Sequence, residues 1–104
     1  MGNPLLTGFR PTHPGEVLRE DVLPSVLVTK TELAAMLCIS RQTLYGILNE
    51  REPVTPRIAI RLGHVFGNSP EFWARMQLAH DLAREAEKVD LSHAPTLERP
   101  EPAR

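Results

Sequence analysis

The stretch Thr29–Asn49, TKTELAAMLCISRQTLYGILN, constrains this chain more than any other. Its spacing predicts two short helices joined by a tight turn. Thr29 has the hydroxyl to cap the first helix, and Glu32, three residues on, completes a capping box by accepting from the Thr29 backbone N–H. Leu33, Ala34 and Leu37 then share one helical face. Ile39 is the apolar residue of the turn, and Ser40 caps a second helix whose apolar positions are Leu44, Ile47 and Leu48. Ala34 presents only a methyl group, so the second helix can cross close over the first. Two caps, two apolar stripes, a small residue at the crossing and a short polar bridge together make a helix-turn-helix pattern.

An αα-hairpin with no nucleic-acid role satisfies the same spacing. What separates the two is the outward face of the second helix, where Gln42, Tyr45, Gly46 and Asn49 point away from the apolar stripe and Thr43 lies at its edge. Gln and Asn pair bidentately with adenine in the major groove, and Arg41 at the helix start can reach guanine or phosphate. A solvated helix without a partner more usually carries Glu and Lys there. Two positions depart from the usual pattern. Cys38 follows the first helix where Gly is normal, and positive φ there costs a non-Gly residue on the order of 1 kcal/mol. Glu50 follows Asn49 where Gly is expected; Asn49 tolerates the left-handed conformation and offers a stop one residue earlier.

A chain of 104 residues supports one small domain with a modest core. Ten prolines imply many element boundaries and argue against a large sheet. No apolar run approaches the roughly 18 residues of a membrane span, and no secretory signal pattern opens the chain. The single cysteine, Cys38, excludes an internal disulfide framework and fits a reducing cytoplasm; it reads as a small buried hydrophobe. The net charge of −1 is unevenly divided: residues 23–75 carry six basic side chains against four acidic ones, a balance of +2, and the flanks carry −3. That supports modest phosphate affinity per copy, so useful DNA binding calls for a dimer.

Residues 1–11 read as an irregular arm whose Leu5, Leu6 and Phe9 are available for docking. A first helix starts at His13-Pro14-Gly15-Glu16, with Pro14 in the first helical position and Glu16 favoured by the helix dipole. Val17, Leu18 and Val22 form its buried face and Pro24 closes it, with Val26 and Val28 turned inward from the following loop. Arg51-Glu52-Pro53-Val54 is a loop, and Thr55-Pro56 starts a fourth helix with the stripe Ile58, Leu62, Val65 and Phe66. Gly67 terminates it, and Ser69-Pro70-Glu71 starts a fifth that runs to about Val89.

In that fifth helix Phe72, Met76, Ala79, Ala83 and Ala86 recur at heptad-like spacing, with Trp73, Leu78 and Leu82 to either side. Core throughout is one reading. The other, which the alanines favour in the second half, is a face for close approach by a second copy or a partner, with Phe72, Trp73 and Met76 in the core. Residues 12–89 thus form the domain, and 90–104 a Pro-rich tail with Leu91 and Leu97 among acidic groups. His13, His64, His80 and His93 lie far apart, with no metal-ligand spacing, and read as solvent-exposed or capping histidines. No nucleophile–base–acid set, no Gly-rich phosphate loop and no cofactor signature is present, so neither an enzyme nor a metal or cofactor protein is expected.

RPTHPGEVLREDVLP (Arg10–Pro24), TKTELA, SRQTLYGILNER and IAIRLGHVFGNSPEFWARMQLAHDL together make the chain similar, from about Arg10 to Leu82, to HigA-type antitoxins of the Xre/Cro-like helix-turn-helix group. HPGEVL and GNSPEFW are the most specific pieces. The resemblance implies an all-α five-helix bundle of the lambda-repressor-like type. It also implies a homodimer on palindromic double-stranded operator DNA in the antitoxin's own promoter, and neutralisation of a HigB-type toxin similar to RelE mRNA endonucleases. Thr29 and Lys30 would contact phosphate, and Arg41, Gln42, Thr43 and Tyr45 would enter the major groove; Ser40, Asn49 and Arg51 complete the candidate DNA-contacting set. Phe72, Met76, Ala79, Ala83 and Ala86 are the candidate dimerisation residues. Gly46 stands where many relatives carry a longer side chain, which would remove one contact. Two other readings remain open: a solitary Xre-family regulator without a toxin, and an interaction module without useful DNA affinity, to which Gly46, Glu50 and the small positive balance point.

Overall fold

In the computed structural model residues 11–97 are described, and among them the architecture is all-α. The docking expected of Leu5, Leu6 and Phe9 lies outside the described residues. Helix α1 (Pro14–Val17) continues without a break into a wider π turn (Leu18–Val22) and a 3-10 turn (Leu23–Ser25). Then follow α2 (Lys30–Met36), α3 (Arg41–Leu48), α4 (Pro56–Phe66) and α5 (Pro70–Ala86). Pro24 is thus absorbed in the last turn, and α5 stops three residues before the expected Val89.

Each helix start is where local chemistry places it. The His13 side chain accepts from the Gly15 N–H at 2.8 Å, with Pro14 next in line. Thr29 and Glu32 form the expected capping box, with bonds of 3.0 and 2.8 Å. Ser40, Thr55 and Ser69 accept from Thr43, Ile58 and Phe72 respectively. These side chains satisfy N–H groups that a helix start leaves without an intrahelical partner.

The helix ends share a second device. Cys38 (φ 56°), Glu50 (φ 63°) and Gly67 (φ 71°) are left-handed. After α2, Cys38 and Ile39 donate to Ala35 and Ala34; after α3, Glu50 and Arg51 donate to Ile47 and Gly46. Both are Schellman stops, and two of the three use a residue with a Cβ. Cys38 takes the expected strained conformation. Asn49 does not supply the stop after α3, because its φ is −92° and Glu50 makes the turn instead.

The core gathers Leu18, Leu33, Leu37, Leu44, Ile47, Leu48, Val54, Ile58, Leu62 and Trp73, with Ala34 and Ala59 where backbones approach. Val28 packs on it, Val26 is half-buried, and Leu27 between them is fully exposed. GNSPEFW is a compact corner: Gly67 turns, Asn68 Oδ1 accepts from the Trp73 indole at 2.7 Å, and Phe72 meets Trp73 edge-on at 5.1 Å. A Cβ on Gly63 would come within 2.7 Å of the Asn68 carbonyl oxygen, so the corner closes on bare backbone. Phe72, expected in the core, is nevertheless half-exposed, since it lies on the outer side of the indole. Cys38 is exposed rather than buried, because the left-handed turn points it away from the core.

Candidate nucleic-acid interface

Helix α3 buries Leu44, Ile47 and Leu48 and leaves Arg41, Gln42, Tyr45 and Asn49 in solvent, with Thr43 half-buried between. Among the described residues the side chains of Arg41, Gln42 and Asn49 have no partner. Lys30, at the start of α2, lies over the Tyr45 ring with its ammonium 5.5 Å from the centroid. That contact draws the α2 start and the exposed row of α3 onto one surface, and at an exposed site it is worth about 0.5–1 kcal/mol.

The capping hydroxyls divide their work. Thr29 Oγ1 accepts from Glu32, which leaves its O–H free to donate outward. Ser40 Oγ accepts from the Thr43 N–H and donates to Thr43 Oγ1 at 2.9 Å, so Ser40 orders the helix start and Thr43 keeps the free donor. Arg51 is exposed beyond the α3 stop, with its N–H held by the Gly46 carbonyl at 2.8 Å. Of the sequence-derived contact set, Lys30 and Tyr45 meet across the two helices, and Thr29, Ser40, Arg41, Gln42, Asn49 and Arg51 are exposed, with Thr43 half-buried.

Gly46 is not part of it. The residue is buried, and a Cβ there would meet the Glu52 side chain at 2.5 Å. Helical spacing placed Gly46 on the outward face; the α3–α4 loop folds back and covers it. A side chain at this position would start out facing the loop and not the exposed row of α3. The Glu50 carboxylate is paired at 3.3 Å with the Arg19 guanidinium, which offsets part of its charge. Both had spoken for a module without DNA affinity.

Sequence reasoning missed the long-range contacts of three polar groups behind this surface. Gln77 is buried on α5, where its Oε1 accepts from the Val54 N–H at 2.7 Å and its Nε2 donates to Asp81. His13 takes the capping role, one of the two expected of the histidines, but it does so buried, and its ring meets His80 edge-on at 4.8 Å. Burial, and then the His80 charge, hold the His13 imidazole below its ordinary pKa of 6.5. Arg19, in the π turn, reaches the end of α3, and its bonds to Glu20 and Glu50 raise its pKa. Beside His13 and His80 lie two cavities of about 350 and 300 Å³ that share His13, Glu50 and Arg84. Among the described residues no group of three or more His, Cys, Asp or Glu side chains is placed to hold a metal, and no helix is long and apolar enough to cross a membrane.

A short helix crossing a second whose polar side chains stand free in solvent, with hydroxyls at both helix starts, an ammonium at the first and a guanidinium at the second, defines a helix-turn-helix DNA-binding protein. The helix-turn-helix family matches residues 26–73. An HTH-type transcriptional regulator of Haemophilus influenzae is 36% identical over 73 residues, covering 70% of this chain and 68% of that protein. Antitoxin HigA-1 of Vibrio cholerae is 36% identical over 76 residues, covering 73% and 71%. The solved structure of antitoxin GraA in complex with its operator superposes with a TM-score of 0.78 at 31% identity, over 95% of this chain and 99% of that one. The chain belongs to the Xre-like helix-turn-helix family that includes the HigA-type antitoxins, a family of DNA-binding regulators and not of enzymes. It spans about two thirds of the length of the first curated relatives, 68% and 65%.

Proposed function

We propose that this chain is an operator-binding autorepressor and antitoxin that reads DNA as a homodimer and neutralises a basic, RelE-like toxin of the HigB type in the cytoplasm. The observation that carries the DNA half is the row Arg41, Gln42, Tyr45 and Asn49: exposed and, except for the Lys30–Tyr45 contact, unused within the protein. Arg41, Gln42, Thr43 and Tyr45 enter the major groove, while Thr29, Lys30 and Arg51 hold the backbone, Ser40 acts by ordering the helix start, and Asn49 closes the row. Gln42→Ala then loses about 1–3 kcal/mol of operator-specific affinity, whereas Lys30→Ala weakens binding to all sequences and flattens the salt dependence. Gel-shift titrations against the chain's own promoter test this, and wild-type behaviour of both variants would refute the assignment.

The homodimer is assigned to α5. Of the candidate residues Phe72 and Ala86 are exposed, Ala79 and Ala83 are half-buried, and Met76 packs against the core. Leu78 and Leu82, 58% and 55% exposed, extend this face. Two α5 helices packed antiparallel about a two-fold axis would set Leu78 of one copy against Leu82 of its partner, and Arg75 against Glu85. Leu78→Glu is the variant to measure, because Ala83 also lines the cavity beside His80 and its substitution would disturb the monomer. Light scattering that still gives a dimer at micromolar concentration would move the interface off α5.

For the toxin, the reading rests on residues 90–104. Leu91 and Leu97 are exposed beside Asp90, whose carboxylate is held by Ser92; Glu98 and Glu101 lie outside the described residues. An acidic segment with apolar anchors suits a basic, RNA-binding partner. Deleting 90–104 and co-expressing the toxin decides it: growth rescue at the full-length level would take the tail out of neutralisation.

A further inference from the structure

We infer that Arg19, which lies on the first helical segment and belongs to no DNA-facing surface, is a positioning residue for the recognition helix. The inference rests on the DNA-binding reading above. It starts from the carbonyls at the end of α3, which no intrahelical N–H can satisfy. Tyr45 O accepts from Asn49, Gly46 O from Arg51 and Glu52, and Ile47 O from Glu50, all backbone N–H groups of the adjoining turn. Leu48 O accepts instead from a guanidinium N–H of Arg19, 29 residues away in sequence.

The same guanidinium spans to Glu50 Oε2 at 3.3 Å, and its Nε donates to Glu20 Oε2 at 2.8 Å. Glu50 is the left-handed stop after α3, so one planar fork grips both the last helical carbonyl and the residue that ends the helix. A positive charge at a helix C-terminus also opposes the partial negative charge there. The Arg19 and Glu50 side chains are 38% and 34% exposed, so the ion pair is partly screened and the carbonyl bond is the directional element.

One turn earlier the same segment touches the preceding carbonyl of α3. A Cβ on Gly15 would fall 1.8 Å from Ile47 O, so that helix start lies flat on the α3 backbone. Two consecutive carbonyls of the recognition helix, Ile47 O and Leu48 O, are thus contacted by one element. The steric contact sets how close α3 lies; the Arg19 fork sets its rotation and keeps its last turn wound. Arg41, Gln42 and Tyr45 stand on the helix so held.

The test is operator and non-specific DNA binding by Arg19→Met, Arg19→Lys and Glu50→Gln in the full chain, well below each variant's Tm. Arg19→Met is expected to lose roughly tenfold in operator affinity, in the range of coupling between residues of one network. Its non-specific affinity and salt slope stay at the wild-type values, because no phosphate contact is removed. Arg19→Lys, a point charge that reaches the carbonyl without spanning to Glu50, falls between wild type and Met. Glu50→Gln, which leaves the Leu48 bond in place, loses less than either. If Arg19→Met lowers Tm but binds operator like wild type, Arg19 is structural only and the inference fails. Parallel loss on both DNAs with a flatter salt slope would make it a phosphate contact and also refute it. Should Arg19→Met not fold, the ranking of Lys and Gln variants decides by the same criteria. If the wild-type chain shows no operator preference, it is the DNA-binding reading that fails.

Discussion

Gln77→Leu probes the polar contact that joins α5 to the loop carrying Arg51. Gln77 is only 6% exposed, and its Oε1 receives the Val54 N–H at 2.7 Å across 23 residues of sequence. Val54 is itself buried in the core, so its N–H has no solvent to turn to. Leucine fills nearly the volume of glutamine, so the substitution adds little cavity cost and isolates the hydrogen bond. A buried N–H left unsatisfied costs about 1–3 kcal/mol. The second contact, from Nε2 to Asp81 Oδ1 at 2.9 Å, adds little, because the Asp81 side chain is 47% exposed and finds water. A domain of this size shifts by about 4–8 °C per kcal/mol, so Tm should fall by roughly 5–20 °C. Circular-dichroism melts give the shift, and hydrogen exchange at the Val54 amide should accelerate beyond the global change. A Tm within about 2 °C of wild type, or unchanged protection at Val54, would show that the bond carries no such weight.

The glycines give different expectations. Gly15→Ala drives a methyl into the Ile47 carbonyl and should destabilise by about 1–3 kcal/mol, while Gly46→Ala meets the Glu52 Cγ at 2.5 Å and Cβ at 3.3 Å, so the helix-propensity gain of about 1 kcal/mol offsets the cost of turning that side chain and the net change should be small. Denaturant titrations of the pair compare them directly. Cys38→Gly relieves a left-handed non-glycine stop and should raise stability by on the order of 1 kcal/mol, read as a higher midpoint at unchanged slope. Because burial first, and then His80, lower the His13 pKa from 6.5, the folded state binds fewer protons than the unfolded. The His13 contribution is therefore full above pH 6.5 and is lost as pH falls through that value towards the lower folded pKa. Melts from about pH 7 to about pH 5 should show a decline in Tm that His13→Asn, which keeps a capping acceptor, flattens.

Thr29 with Glu32, Ser40, Thr55-Pro56, Ser69-Pro70 and Gly67 could be placed from the chain alone, because a cap and the group it satisfies lie within a few residues of each other. The same locality made the left-handed turn at Cys38 legible, and the outward row of α3 followed from its apolar stripe. At Gly46 this reasoning failed, since periodicity states which way a position points and not what later folds across it. Phe72 and Trp73 show the same limit: both are apolar and adjacent, yet the corner at Asn68 holds the indole in the core and leaves the phenyl ring half in solvent. Arg19 on Leu48 O, Gln77 on Val54 and His13 against His80 join residues tens of positions apart. The sequence by itself determined where the helices begin, and which way most of the recognition helix's polar residues point. The tertiary structure alone decided what holds that helix in place, because a backbone carbonyl or N–H offers every polar side chain in the chain the same chemistry, and only packing selects which one arrives.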